Sequence, residues 1–414
     1  MTRTWPSAAL LALLLLCPAL SPAAEPLPQK HLEIAVWFDG PTPELTPLLD
    51  LTRLFRQQHP EVLINIHPRP TLSAYHYLGR WCGIEAGNAP DLVVINSSWL
   101  RQFAPHLVPL GDLRPAAEKK ILPPVLDLLT VNGQLMAVPW CLGARVLLAR
   151  ADLLEAQHVP LPEDWSKLVY VTAPGLHRPP GVWGFGLPGA TGGGGAVLLE
   201  EMIWAEGETL VEEHGGITLN TPGKVRALER LCKLAQFAQP ETLTWTQTDL
   251  ESAFGQGRVG LMVSDTWVAR NWKSIPKAPA YRVLPLPSGG GPVADLLGDG
   301  LAIFSRAKEK ELALAFAQML LTSTAQKKLV EWGGLPVHED LIAAAREDPL
   351  LGPILPTLRA AQGGAANVPP ATLRALDYAI FLAVSGRETP GDALRLAQEA
   401  LAASMTTAPG GPPG

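Results

Sequence analysis

The run DLVVI at 91–95 is apolar at every position after its aspartate, and this limits the architectures open to the chain. A half-exposed strand alternates polar and apolar side chains. A near-continuous apolar run belongs instead to a strand covered on both faces, so helices must lie on either side of a central sheet. The preceding residues agree. Residues 31–38 read as a strand ending in WFDG, and 62–67 as a second strand. Between them, Thr46 caps a helix with Pro47 in its first turn and Leu48, Leu51 and Phe55 on one face, and His59-Pro60 stops it. Strand, helix and strand with short connections make a βαβ unit, and so an α/β fold with a parallel sheet.

At 414 residues the chain is long for one hydrophobic core, and two lobes are expected. The formal net charge is −6, which argues against nucleic acid and anionic membrane surfaces as partners. Residues 1–23 carry one basic side chain, Arg3, then an apolar run at 8–16, then small residues at Ser21 and Ala23. That is the pattern of a cleaved secretory signal, too short to span a bilayer as a stable helix. Cys17 raises a second route, lipid anchoring, but Leu16 stands where the modifying pathway wants a small residue. Cleavage leaves Cys82, Cys141 and Cys232, enough for one disulfide at most, with three unpaired cysteines as the simpler state.

Further along, Asn132-Gly133 reads as a tight turn. An extended run at 135–138 follows, and Pro139 is expected to end it, leaving Trp140 beyond the strand and facing a cleft. Residues 141–149 read as another strand. The glycine run at 192–195 is not followed by Gly-Lys-Ser/Thr, so it is no P-loop. It is either a flexible connection or a means of bringing a polar group onto the amides that open the helix at 196–205. An amphipathic helix is expected at 225–237, a strand at 259–263 running into SDTW, a strand at 301–304 after Gly298-Asp299-Gly300, and a helix at 309–321. Ser323 with Gln326 reads as a capping box for the helix that carries Trp332.

The scattered histidines make no HExxH, and no cysteine pair has metal spacing, so neither a metal nor a cofactor is expected. There is no GxSxG elbow. Open α/β sheets bind ligands beyond the carboxyl ends of their strands, which points to Trp37 and Asp39, to Asn96, Ser97, Ser98 and Trp99, and to Asp265 and Trp267. Indole faces beside short polar groups suit the C–H faces and hydroxyls of a sugar. Arg80, Arg145 and Arg270 lie near these motifs and keep a glycerol-phosphate type of ligand open. Asp39, Asp265 and Asp299 at strand ends keep a glycosidase open as an alternative.

Taken in order, GNAPDLVVINSSW, GQLMAVPW, LPEDWSKL, AFGQGRVGLMVSDTW, the segment 298–329 and SGRETPGDAL resemble the family 1 extracellular solute-binding proteins of ABC importers. The resemblance implies two α/β lobes with a ligand cleft between them, closing by hinge bending. It places the first lobe at 25–138 and 289–333 and the second at 140–286 and 336–405, while residues 407–414 read from their composition as a disordered tail. Crossings fall near 138–141, 285–291 and 333–337. It further implies an exported, monomeric receptor, periplasmic or on the outer face of the membrane, that hands a carbohydrate to the transmembrane subunits of a permease. Trp37, Asp39, Trp99, Trp140, Trp267 and Asp299 match cleft-lining positions. Trp204, Trp332 and Gly298 complete the candidate set. Two departures from the maltose-binding pattern, Tyr378 as the only aromatic of the matching region 372–378 and one or two places off, and Val138 in place of an acid, weigh against maltose specifically.

Overall fold

A computed structural model describes residues 30–37, 46–192, 194–212, 216–272, 278–288, 293–361 and 368–406. The leader, Asp39, the end of the crossing expected at 285–291 and the tail at 407–414 lie outside these residues. The chain begins with β1 (Lys30–Trp37), α1 (Thr46–Arg56), β2 (Val62–Arg69), α2 (Ala74–Cys82) and β3 (Leu92–Asn96). Helix α1 buries Leu48, Leu51 and Phe55 on one stripe, as its spacing requires. Strands β1, β2 and β3 pair in parallel. Asp91 locks the first of these to the distant chain by accepting from the amides of Glu33, Lys308 and Glu309.

After α3 (Ser97–Phe103) and α4 (Pro123–Leu128), the short strands β4 (Thr130–Val131) and β5 (Gln134–Leu135) form a two-residue hairpin. Its turn has φ of 51° at Asn132 and 77° at Gly133, the doubly positive geometry that an Asn-Gly pair tolerates. The next strand, β6 (Val138–Arg150), runs through the proline expected to stop it. The ladder is irregular between Pro139 and Cys141, leaving Trp140 as an extra residue, a bulge where proline has no N–H to donate.

The chain continues through α5 (Gly195–Ala205), α6 (Pro222–Ala235), α7 (Gln247–Gly255), β7 (Leu261–Asp265), α8 (Thr266–Trp272) and β8 (Tyr281–Leu284) to β9 (Leu296–Ile303). It ends in α9 (Lys310–Leu320), α10 (Ser323–Trp332), α11 (Glu339–Ala344), α12 (Pro370–Val384) and α13 (Pro390–Thr406). The sheet order is β2-β1-β3-β9-β6-β7, with β8 also on β6. Only its first three strands are parallel; β9 and everything beyond it pair antiparallel, so the sheet is mixed.

Strand β6 joins the two halves. Up to Ala144 it pairs with β9, and from Arg145 onward with β7 and β8. Alternate side chains divide accordingly. Leu142, Ala144, Val146 and Leu148 enter a core shared with β1, β3 and β9, whereas Leu147 and Ala149 enter a second core with α5, α6 and α12. This is a mixed α/β fold of two lobes with helices over a central sheet. Residues 336–361, expected in the second lobe, pack on the first. Ile121 bridges to His338, the Leu122 amide donates to Val337, and Leu351, Ile354 and Leu358 join the first core. The apolar face of α4 attracts them there. The cap of α10 is Thr322, which accepts from the Ala325 amide, and not Ser323; Gln326 donates instead to the carbonyls of Pro139 and Leu320, tying α10 to the bulge.

Candidate functional site

Residues paired in register across a sheet point to the same face. Asn96 pairs with Asp299, Asp299 with Cys141, and, two residues further along β6 each time, Gly143 and then Arg145 follow, the last paired with Asp265. All six share one face, and all six are half-buried in a sheet whose other positions are mostly buried. The sheet therefore opens to solvent in a polar band at the seam between the lobes. Two strand ends and one strand interior supply its functional groups: β3 ends in Asn96 and β7 in Asp265, whereas Asp299, expected at a strand end, lies inside β9 because that strand already begins at Leu296.

At the first-lobe end of the band, Asn96 caps α3 by accepting from the Ser98 amide (3.1 Å) and donates through Nδ2 to Asp299 Oδ1 (3.0 Å). Ser98 is exposed and donates its hydroxyl to Asn96 (2.6 Å), while Ser97 is buried. Burial pushes the Asp299 carboxyl up to about 6, against the Asn96 hydrogen bond that lowers it. The neighbouring Cys141 thiol is pushed to about 12, first by burial and then by the Asp299 charge, which makes it a neutral thiol. Gly298 has φ of 126°, and a Cβ there would meet the Cys141 carbonyl at 2.5 Å, so a glycine is required for β9 to approach β6. Cys82, Cys141 and Cys232 are all free and all half-buried.

The tryptophans sort into three kinds. Trp267 is 39% exposed at the start of α8, and its ring lies over Gly333, where a Cβ would come within 2.7 Å. Trp99 and Trp332 are half-buried, the first edge-on to Tyr75 at 5.7 Å. Trp140 is only 3% exposed and meets Trp332 edge-to-face at 5.9 Å and 88°. Expected to face a cleft, it is a core residue here, because the bulge turns its side chain onto α10. Trp37 is half-buried, stacked on Trp81 and donating to the Val94 carbonyl (2.7 Å), and Trp204 is buried in α5.

Of the three arginines noted in the sequence, Arg80 pairs with Glu85, away from the band. Arg270 donates to the carbonyls of Val330 (3.0 Å) and Gly334 (3.2 Å), where it fastens α8 to the end of α10. Arg145 donates to Glu201 on α5 (2.8 Å). Burial works against the Arg145 charge, yet the adjacent Glu201 carboxylate raises its pKa above the usual value. Asp265 spends one oxygen accepting from the Val268 amide (2.9 Å). Sequence reasoning missed Glu200, Glu201 and Asp377. The only signal for the first two was an acidic pair inside an apolar helix. Asp377 is buried and accepts from the Gly192 amide (2.7 Å) and from Ala196, so the polar group sought at the start of α5 is an internal carboxylate. Among the described residues, no group of three or more His, Cys, Asp or Glu is arranged to hold a metal ion, and no helix is long and apolar enough to cross a membrane. A separate cavity of about 500 Å³ lies between Asp164, Trp165, Glu206 and Arg230 on the second lobe, away from the band.

Two α/β lobes joined through β6 and β9, with a polar, solvent-reached floor at the crossing, define a two-lobe periplasmic-type binding protein. A family model for bacterial extracellular solute-binding proteins matches residues 83–351, and the chain belongs to that family. It is 28% identical over 260 residues to an ABC transporter-binding protein of Deinococcus radiodurans, covering 58% of this chain and 60% of that one. Maltose-bound MalE3 of T. maritima superposes with a TM-score of 0.74 at 24% identity, over 91% of this chain and 100% of the other. The cyclic alpha-maltosyl-1,6-maltose binding protein of Arthrobacter globiformis gives 0.78 at 17% identity, over 91% and 99%.

Proposed function

We propose that the protein is an exported receptor of an ABC importer that captures a carbohydrate of one to several sugar units at the seam and delivers it to a membrane permease. The observation that carries this reading is the half-buried band Asn96, Asp299, Cys141, Gly143, Arg145 and Asp265, set beside the exposed indole of Trp267. Carboxylate, amide and hydroxyl groups meet sugar hydroxyls, and an indole covers a C–H face. Two relatives of the same fold bind maltose and a cyclic maltosyl-maltose, which supports the ligand class. Closure would bend the chain where β6 and β9 cross, bringing Ser98 and Trp99 of the first lobe toward Trp267 of the second, which lies on Gly333. The signal-like segment at 1–23 supports export, and a single chain suffices for the cleft.

A thermal-shift screen of the mature protein against mono- to tetrasaccharides and glycerol phosphates tests the reading. A ligand at a hundredfold its dissociation constant adds about 2.7 kcal/mol of apparent stability. A panel in which no sugar moves the melting temperature would reject the ligand class.

A further inference from the structure

The deepest part of the band is built unlike the rest. Arg145 reaches from β6 toward the acidic pair of α5, where Glu200 and Glu201 are 3% and 1% exposed. Arg145 Nε donates to Glu201 Oε1, but Arg145 Nη2, Glu200 Oε2 and Glu201 Oε2 are buried without a hydrogen-bond partner in the protein. The Arg145 side chain is itself only 10% exposed. A donor and an acceptor are thus left over on one ion pair, with a third orphaned oxygen on Glu200, the neighbouring residue of α5, whose carboxyl burial and the Asp295 and Glu201 charges push up to about 9. Leaving buried polar groups unpaired costs about 1–3 kcal/mol each, so the fold holds them for something that completes them.

The chemistry of the completing group follows from the set. A phosphate or carboxylate oxygen only accepts, and would satisfy Arg145 while facing the Glu201 carboxylate, with Asp295 also nearby in the field of Arg145. An ammonium only donates, and would leave Nη2 unpaired. A hydroxyl does both. Arg145 lies on the same face as Cys141 and Gly143, the next step from the seam into the second lobe, and so borders the band.

We infer that Arg145, Glu201 and Glu200 form a hydroxyl subsite at the second-lobe end of the band, and that it restricts the ligand to one bearing no negative charge. The inference rests on the receptor reading above. Sugar phosphates and sugar acids are excluded although an arginine is present, because that arginine is already matched to a carboxylate.

Calorimetric titration of the mature protein with two matched pairs, maltose against maltobionate and D-mannitol against D-mannitol 1-phosphate, tests this. In the pair that binds, the neutral member should bind at least 30-fold tighter. Glu201→Gln frees the Arg145 charge and should raise the affinity ratio of charged to neutral member at least tenfold. Glu200→Gln, which keeps shape, should weaken the neutral member at least fivefold and serves if Glu201→Gln fails to fold. A wild-type protein that binds the charged member equally well overturns the inference. So do variants that leave both affinities within twofold, which would show that the orphaned atoms serve water alone. If neither pair binds while other neutral sugars in the wider screen do, the variants are titrated with the best of those and the same ratios decide. If no sugar binds at all, the receptor reading fails and the subsite with it.

Discussion

Replacing Trp140 by alanine should unfold the protein earlier while leaving its binding chemistry in place. The side chain is 3% exposed, it is the extra residue of the β6 bulge, and its ring meets Trp332 at 5.9 Å. Emptying a buried tryptophan site costs about 3–5 kcal/mol, of which the edge-to-face pair accounts for roughly 0.5–1.5. Unfolding entropy of about 2.1 cal/mol/K per residue gives a chain of this length roughly 0.9 kcal/mol/K, so the melting temperature should fall by roughly 3–6 °C. Calorimetry of the unliganded variant reads the shift, and titration below its transition reads the affinity. Trp140→Phe, which keeps a ring on α10, should lose less than half as much. A Trp140→Ala protein that melts within a degree of wild type and yet fails to bind would refute the reasoning, since that is how a cleft tryptophan behaves.

Three further outcomes follow. Gly333→Ala places a Cβ at 2.7 Å from the Trp267 ring on a backbone with φ of 127°; it should cost about 1–3 kcal/mol of stability and, by displacing Trp267, weaken sugar binding at least tenfold in the same titration. Burial and the Asp295 and Glu201 charges raise Glu200 from an ordinary value of 4.5 to about 9, so the folded state holds an extra proton between those values, and stability from this group is present at low pH and lost as pH rises toward 9. Glu200→Gln removes that loss, and its melting advantage over wild type should be larger at pH 9 than at pH 6; an advantage that shrinks with pH would contradict the burial argument. Denatured under non-reducing conditions, the mature chain should show three thiol equivalents with a thiol-specific chromogen, because Cys82, Cys141 and Cys232 are all free; one equivalent would reveal a disulfide.

The parts of the fold that local periodicity governs were legible from the sequence. The apolar run at 91–95 became the central strand β3, the Leu48, Leu51 and Phe55 stripe became the buried face of α1, and Asn132-Gly133 became a two-residue turn. What long-range pairing decides was not. Pro139 signals a strand end in any local reading, yet β6 passes through it because a bulge accommodates the missing donor and the Gln326 side-chain amide donates to the Pro139 carbonyl. The antiparallel return of β9 and the docking of 336–361 on α4 depend on partners more than a hundred residues away in sequence. In the band, the places of Asn96 and Asp265 at strand ends were legible, since an apolar run that stops at a polar residue marks them, whereas Asp299 lies inside β9, which starts before its expected strand. Glu200 and Glu201 were not legible, because a carboxylate in an apolar helix reads as a break in the pattern until the strand that brings Arg145 beneath it is known.

The central claim is that a carbohydrate binds at the seam and is released unchanged, with the exposed face of Trp267 as its platform. Titration of wild type and Trp267→Ala with the best-binding oligosaccharide, with the sugar recovered and analysed afterwards, tests it most directly. The account predicts saturable one-to-one binding, weakened by about 2–4 kcal/mol in Trp267→Ala at a nearly unchanged melting temperature, and intact sugar throughout. Equal affinity in both proteins, or shortened sugars that cease to form when Asp265 or Asp299 is changed to Asn, would contradict it.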